Sequence, residues 1–336
     1  MQSKRAWIIL FIGIFTLILC SLLNLIWGQS SLNWSEIWLN KESSQAYIIF
    51  NEIRLPKAIT ALIAGAALSV SGLQMQTLFK NPLAGPHILG ISSGSGLGVA
   101  LLVMASGISP IFLNLSTNPW GIILASCIGS LLFMFIIFSM ALRIQHVMTL
   151  LLLGIMLSSA VSAMIALIQY YSDADSLKTY VIWTMGSLSN THWEHLKIMA
   201  LICIIGFIIS ISTPKSLNQL LLGENYAKSL GQNIKKSRLL ILSSTGLLTG
   251  AVTAFCGPIS FIGLAVPHLV RLIIMKQNHL WLLPLSAIYG GSFLLLCDWL
   301  CHWNMWSSIL PINALTSLAG SPFIIYLLLK NKNWLK

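Results

Sequence analysis

The chain has 336 residues, of which 56% are hydrophobic and only 8% charged, and its mean hydropathy is +0.84. That is too little polar surface to cover a water-soluble fold of this size, so the solvent for most of it is lipid. The net charge of +11 would suit a nucleic-acid ligand only if the cations formed a patch interleaved with aromatic side chains, and no such patch exists.

Crossing a hydrocarbon core about 30 Å thick takes roughly 20 helical residues. Apolar runs of about that length cover residues 7–27, 58–79, 88–107, 121–142, 147–171, 196–213, 239–254, 259–274, 281–299 and 312–329, the seventh and eighth being short. The expectation is an all-α polytopic membrane protein of about ten spans, forming one transmembrane domain over residues 1–336. Lys4 and Arg5 precede the first run as in a secretory signal, but the run is too long and lacks a small-residue cleavage site, so it is kept as a span. With the N-terminus inside, 14 of the 19 Lys and Arg residues fall on the inner side and 5 on the outer side (Lys41, Arg54, Lys57, Lys178 and Lys197). This asymmetry orients both termini to the cytoplasm.

Three connections are long. The first, 28–57, is expected outside and ends in Arg54-Leu55-Pro56-Lys57. Span two then carries a small-residue stripe, Ala61, Gly65, Ser69 and Gly72, the pattern of a close helix contact. Gln74 and Gln76 in the same run either line a wet path or make interhelical hydrogen bonds. At its inner end, Asn81-Pro82-Leu83-Ala84-Gly85-Pro86 breaks the helix, and Gly90 and Gly94 begin a third run with little side-chain bulk. Gly94-Ser95-Gly96-Leu97-Gly98 opens no βαβ unit and lacks the Lys-Ser/Thr ending of a phosphate loop, so close backbone packing is the preferred meaning.

The second long connection, about 172–195, is expected on the periplasmic side. Its apolar patch at 180–185 has the length of a short helix on the membrane surface. The third, 214–238, lies inside. Leu217, Leu220 and Leu221 recur before Gly223, and Ala227 and Leu230 before Gly231, which predicts two short helices over about 214–231. Glu224 suits the positive end of the second helix. A docking knob for another protein and a capped, solvated loop both fit this pattern.

Gly257-Pro258, Gly263 and Pro267-His268 crowd two prolines and two glycines into residues 257–271, at the start of and within the eighth run, which also carries Arg271. A broken helix in a membrane has to be covered by protein or line a cavity, so this one belongs inside the bundle. Asp298 is the only acid in or beside a span. A local i,i+4 pairing with His302 is preferred over a proton relay. Cys297 with Cys301, and His192 with His195, lack the further ligands a metal site needs, so no metal site and no cofactor are assigned. No nucleophile, base and orienting acid come together, so the chain is not expected to be an enzyme.

Several of these motifs, taken in order, resemble the FecCD family, the permeases of iron-siderophore, haem and vitamin B12 ATP-binding-cassette importers. They are Arg-Leu-Pro-Lys at 54–57, Asn-Pro-Leu-Ala-Gly-Pro at 81–86, Leu-Gly-Ile-Ser-Ser-Gly at 89–94, Ser-Leu-Gly at 229–231, Gly-Pro-Ile-Ser-Phe-Ile-Gly-Leu at 257–264, Val-Pro-His-Leu-Val-Arg at 266–271 and Gly-Ser-Pro-Phe at 320–323. The resemblance implies the type II importer architecture, a second permease copy completing the pore, and separate ATP-binding-cassette ATPase subunits. It also implies a periplasmic or lipoprotein substrate-binding protein and residence in the inner membrane. It makes Leu220, Gly223, Glu224, Ala227, Leu230 and Gly231 the ATPase-coupling residues, and Arg54, Lys57 and His302 the docking residues for the binding protein. Lysine replaces the family's second arginine at 57, histidine stands at the third basic position, and Pro311-Ile312-Asn313 follows Ile309 where the family commonly has an acid before Pro-x-Gly. An iron complex is the expected cargo, with cobalamin or haem as alternatives. The rival from another class is an ion-coupled secondary transporter.

Overall fold

The computed structural model describes residues 2–28, 37, 44–107, 109–144, 146–275, 278–303 and 309–330, and their regular structure is helical. In chain order the helices are α1 (Gln2–Ile26), α2 (Gln45–Ile48), α3 (Leu55–Leu78), α4 (Ile91–Met104), α5 (Pro110–Thr117), α6 (Pro119–Arg143), α7 (Val147–Tyr170) and α8 (Ala174–Thr184). They continue with α9 (Trp193–Ile211), α10 (Pro214–Leu221), α11 (Glu224–Ser229), α12 (Ile234–Cys256), α13 (Ile262–Ile274), α14 (His279–Cys301) and α15 (Ile312–Lys330). Each predicted run falls on one helix. Among the described residues, 7 helices are long and apolar enough to cross a membrane, and the shorter apolar helices Ile91–Gly107, Ile262–Ile274 and Ile312–Tyr326 take up the remaining runs. Broad apolar faces lie bare, with Phe11 and Phe15 on α1, Phe135 on α6 and Met156 on α7 all more than half exposed. Water would not tolerate such faces, whereas lipid requires them.

Three local expectations need correction. The seventh run is not short: α12 spans 23 residues, because the Asn233 side chain accepts from the Lys236 amide at 3.1 Å and starts the helix before its charged first turns. The third is shorter than 88–107. A 3-10 turn, Pro86–Leu89, ends at Gly90 with φ 73°, and only then does the 14-residue α4 begin. Arg54-Leu55-Pro56-Lys57 is helical rather than the end of a connection. A π-turn, Ile49–Arg54, joins α2 to α3, with the Leu55 amide reaching back to the Phe50 carbonyl. The wide turn sits just before Pro56, which has no N–H to continue a regular ladder. In α8, Tyr180 is buried against Val99, Ala100 and Val103 of α4, while Val181, Ile182 and Met185 of the 180–185 patch are exposed. Of the predicted features, residues 29–36 and 38–43 of the first long connection and the cations Lys41, Lys276, Lys332 and Lys336 lie outside the described residues.

The chain forms two compact units. The first comprises Met1–Leu73, Ser187–Leu201 and Ile259–Lys336. Here α1 packs on α14, and the α3 stripe does what its small residues predict. A Cβ on Gly65 would overlap the Gly290 carbonyl of α14, and one on Gly72 would overlap the Gly263 carbonyl of α13. The second contact is tied to Pro267, which cannot supply the helical hydrogen bond to that same Gly263 carbonyl. The proline breaks the ladder at the point where two backbones meet.

The second unit comprises Gln74–Gly186 and Ile202–Pro258. Its centre is the crossing of α4 and α6. A Cβ on Gly94 would lie 2.6 Å from the Gly129 carbonyl, and one on Gly98 would overlap the Ala125 carbonyl. The glycines after Gly90 are therefore a helix crossing rather than a phosphate loop. Gln74 is fully buried and spends its amide between helices. Its Nε2 donates to Ser210 Oγ at 3.1 Å and Thr213 Oγ1 at 3.3 Å, and its Oε1 accepts from Thr245 Oγ1 at 3.1 Å. At the start of α8, Asp173 accepts from the Ser176 amide at 3.0 Å, which holds its carboxyl below the usual carboxylate range.

Candidate functional site

The three basic residues assigned to docking, Arg54, Lys57 and His302, come together in the first unit. They line one pocket of about 410 Å³, with Asn24, Ser189 and Ile309 on its walls. All three side chains are already engaged. Lys57 Nζ lies 3.0 Å from Asp298 Oδ2, and Asn24 Nδ2 donates to the same oxygen at 2.7 Å. The His302 Nδ1 is 3.5 Å from Asp298 Oδ1 and 2.9 Å from the Asp298 backbone oxygen, so the expected i,i+4 pair forms but is the lesser part of the cluster. Asp298 and Asn24 are almost fully buried, so α1, α3 and α14 are pinned together by a carboxylate held between an ammonium and an amide.

Arg54 closes the end of α1. Its Nη1 donates to the carbonyls of Leu25 and Ile26, each at 2.9 Å, placing a cation where the last helical carbonyls lack partners. Gly28 makes room for it, since a Cβ there would lie 2.7 Å from Arg54 Nη2. Sequence reasoning missed one residue, Asn24, and one pairing, that of Lys57 with Asp298. Asn24 sits in an apolar run with no local partner, and Lys57 meets Asp298 only through tertiary packing.

The coupling residues lie in the second unit and divide by exposure. Leu220 and Ala227 are buried and hold α10 and α11 in place, whereas Leu230 is half exposed. Leu222 and Tyr226, which the leucine spacing did not single out, are also more than half exposed, so the pair presents Leu222, Tyr226 and Leu230 outward. Gly223 has φ 114° and Gly231 has φ 80°, so both ends of α11 need the freedom of glycine. Glu224 Oε1 accepts from Arg238 Nη2 at 2.6 Å, and Arg238 Nη1 donates to the Ile144 carbonyl at 3.1 Å.

The remaining motif residues shape backbone. Asn81 Oδ1 accepts from the Leu83 amide at 2.9 Å, closing the turn through Pro82. A Cβ on Gly90 would meet Ser158 Oγ at 2.9 Å. Gly257, with φ 74°, passes so near the Trp183 carbonyl that a Cβ would lie 2.6 Å from it, and Pro258 follows. His268 and Arg271 are on α13, His268 being buried. Asn313, at the family's glycine position, accepts from the Ser260 amide at 3.1 Å through Oδ1.

Comparison with known proteins covers this same frame. The pattern of the FecCD transport family matches residues 16–330. The haemin transport permease HmuU of Yersinia pestis is 36% identical over 307 residues, 91% of this chain and 90% of its own. The vitamin B12 import permease BtuC of Klebsiella pneumoniae is 35% identical over 334 residues, 98% of this chain and 96% of its own. A solved inward-facing conformation of a putative metal-chelate type ABC transporter superposes with a TM-score of 0.82 at 31% identity, covering 97% of this chain and 99% of that one. These matches remove the ion-coupled secondary transporter from consideration. On a family match over residues 16–330 and near full-length relatives at about 35% identity, the chain belongs to the FecCD transport family and is the permease subunit of an ATP-binding-cassette importer, a transport component that is not itself catalytic.

Proposed function

We propose that the chain imports a metal chelate, an iron complex of the siderophore or haem type, across the inner membrane, with both termini in the cytoplasm. The observation that carries this cargo class is the near full-length likeness to a haemin permease and to a metal-chelate transporter of TM-score 0.82. Cobalamin is the second reading, favoured by the equally extensive B12 permease match. The permease supplies the path and its partners supply selection and energy. ATPases dock on α10 and α11, where Leu222, Tyr226 and Leu230 offer apolar anchors on an otherwise polar segment. A binding-protein carboxylate entering the pocket would meet Arg54, Lys57 and His302 together. Two copies of the chain complete the pore.

The docking role is tested by co-purification with candidate partner ATPases. Placing aspartate at Leu222 and Leu230 should reduce recovered ATPase at least about tenfold, since losing buried apolar anchors typically costs 2 kcal/mol or more. Undiminished recovery would remove α10 and α11 from the interface. Cargo class is tested by competition for ATP-dependent uptake among haemin, a ferric siderophore, cyanocobalamin and molybdate.

A further inference from the structure

We infer that Arg238 is a positioning residue that fastens the docking helices to the spans, so that α10 and α11 move with α12 and the end of α6 as one body. The inference rests on the docking role proposed above. Backbone alone would not achieve this. α11 is a 6-residue helix between two glycines of positive φ. Nothing lies within 4 Å of a Cβ built on Gly231, and only Lys80 Nζ approaches one on Gly223, at 3.8 Å. A short helix between two uncrowded glycines would swing before it pushed.

Side chains bridge both joints. Arg238 is on the second turn of α12 and only 4% exposed. One of its terminal nitrogens holds Glu224, the first residue of α11, and the other holds the carbonyl of Ile144, the C-cap of α6. A single planar guanidinium therefore ties three elements, a task that the point charge of lysine cannot perform in two directions at once. A second tie lies beside it. Gln232 Nε2 donates to Ser237 Oγ at 2.8 Å and to the Ser216 carbonyl at 3.4 Å, while Ser237 Oγ donates to Ser216 Oγ at 3.3 Å, holding α10 to the same end of α12. Within this unit α12 packs along α6 and α4, so a displacement of the helix pair enters the spans at Arg238.

The test places spin labels at Lys215 on α10 and Leu142 on α6, both exposed, in the full chain in lipid nanodiscs. The interlabel distance is measured for the chain alone and for its complex with the ATPase, with and without a non-hydrolysable ATP analogue. The unsubstituted chain should give a narrow distribution that the nucleotide leaves in place. In Arg238→Gln the distribution should broaden, and the nucleotide should shift it by about 2 Å or more, the scale of helix displacements in switching proteins. Arg238→Lys should fall between the two, and Glu224→Ala, which breaks the same bond from its more exposed side, should act where Arg238→Gln fails to fold. A merely structural Arg238 would broaden the distribution without making it nucleotide-dependent, and that result, or a variant identical to the unsubstituted chain, would overturn the inference. Failure of the docking proposal looks different: the ATPase would then not be recovered with the labelled permease in any chain, whereas failure of the fastening leaves that recovery intact.

Discussion

Replacing Lys57 with methionine removes the ammonium 3.0 Å from Asp298 and strands a carboxylate whose side chain is only 3% exposed. Breaking a buried pair from one side typically costs about 3–5 kcal/mol. Asn24 still donates to the carboxylate at 2.7 Å and His302 stays alongside, so the lower end, about 3 kcal/mol, is expected for Lys57→Met. Asp298→Asn should cost less. The stranded lysine borders a pocket of about 410 Å³, and at roughly 30 Å³ per water that space hydrates an ammonium, leaving a loss of about 1–2 kcal/mol. The double variant Lys57→Met with Asp298→Asn removes both charges at similar volume and should return to within about 1 kcal/mol of the unsubstituted chain. Equilibrium unfolding in mixed micelles, followed by tryptophan fluorescence, gives all corners of the cycle. Singles below about 1 kcal/mol that simply add in the double variant would refute the buried pair as the pin of α1, α3 and α14.

Two further outcomes follow from local geometry. Gly65→Ala and Gly72→Ala should each destabilise the chain by about 3 kcal/mol, the upper range for overpacking, because the new Cβ overlaps a backbone carbonyl that cannot rotate away. Gly107→Ala, where nothing lies within 4 Å, should be neutral or stabilising by up to about 1 kcal/mol, and equal losses at all three sites in the same unfolding assay would contradict the crossings. The Asp173 carboxyl, held low by the Ser176 amide, stabilises the start of α8 above the ordinary carboxylate range and ceases to do so as pH falls through its depressed value. Hydrogen-exchange protection of α8, corrected for intrinsic rates, should therefore fall in acid. In Asp173→Asn, which caps without titrating, it should not. An unchanged acid profile in that variant would show that the cap is not responsible.

How much was legible in the sequence depended on whether the governing contact was local. Lipid demands apolar faces along the whole length of a span, so each run announced its helix. Small residues at 65, 69 and 72 announced a close contact because little else brings backbones together there. The helix pair after Pro214 was readable from leucine spacing and two glycines. Its exposed face was not, because Leu222 and Tyr226 lie off the buried stripe that periodicity detects. α5 escaped notice although Ser109 and Pro110 are a start signal, since 8 residues beside a longer apolar run add little to its pattern. The pocket around Arg54, Lys57 and His302 shows the limit most clearly. From Asp298 a sequence reader sees His302 one turn away, yet the carboxylate is held chiefly by Lys57 and Asn24 from helices far along the chain. The basic residues that looked like a ready-made outer surface are also the fasteners of their own unit.

The proposed activity is movement of a metal chelate when partner subunits supply ATP hydrolysis and cargo. The direct measurement is uptake into proteoliposomes holding the permease and its ATPase, with cargo-loaded binding protein outside and ATP within. ATP-dependent accumulation of a radiolabelled iron chelate that cyanocobalamin and molybdate do not displace is the expected result. Accumulation that continues without ATP, or uptake confined to molybdate, would contradict it.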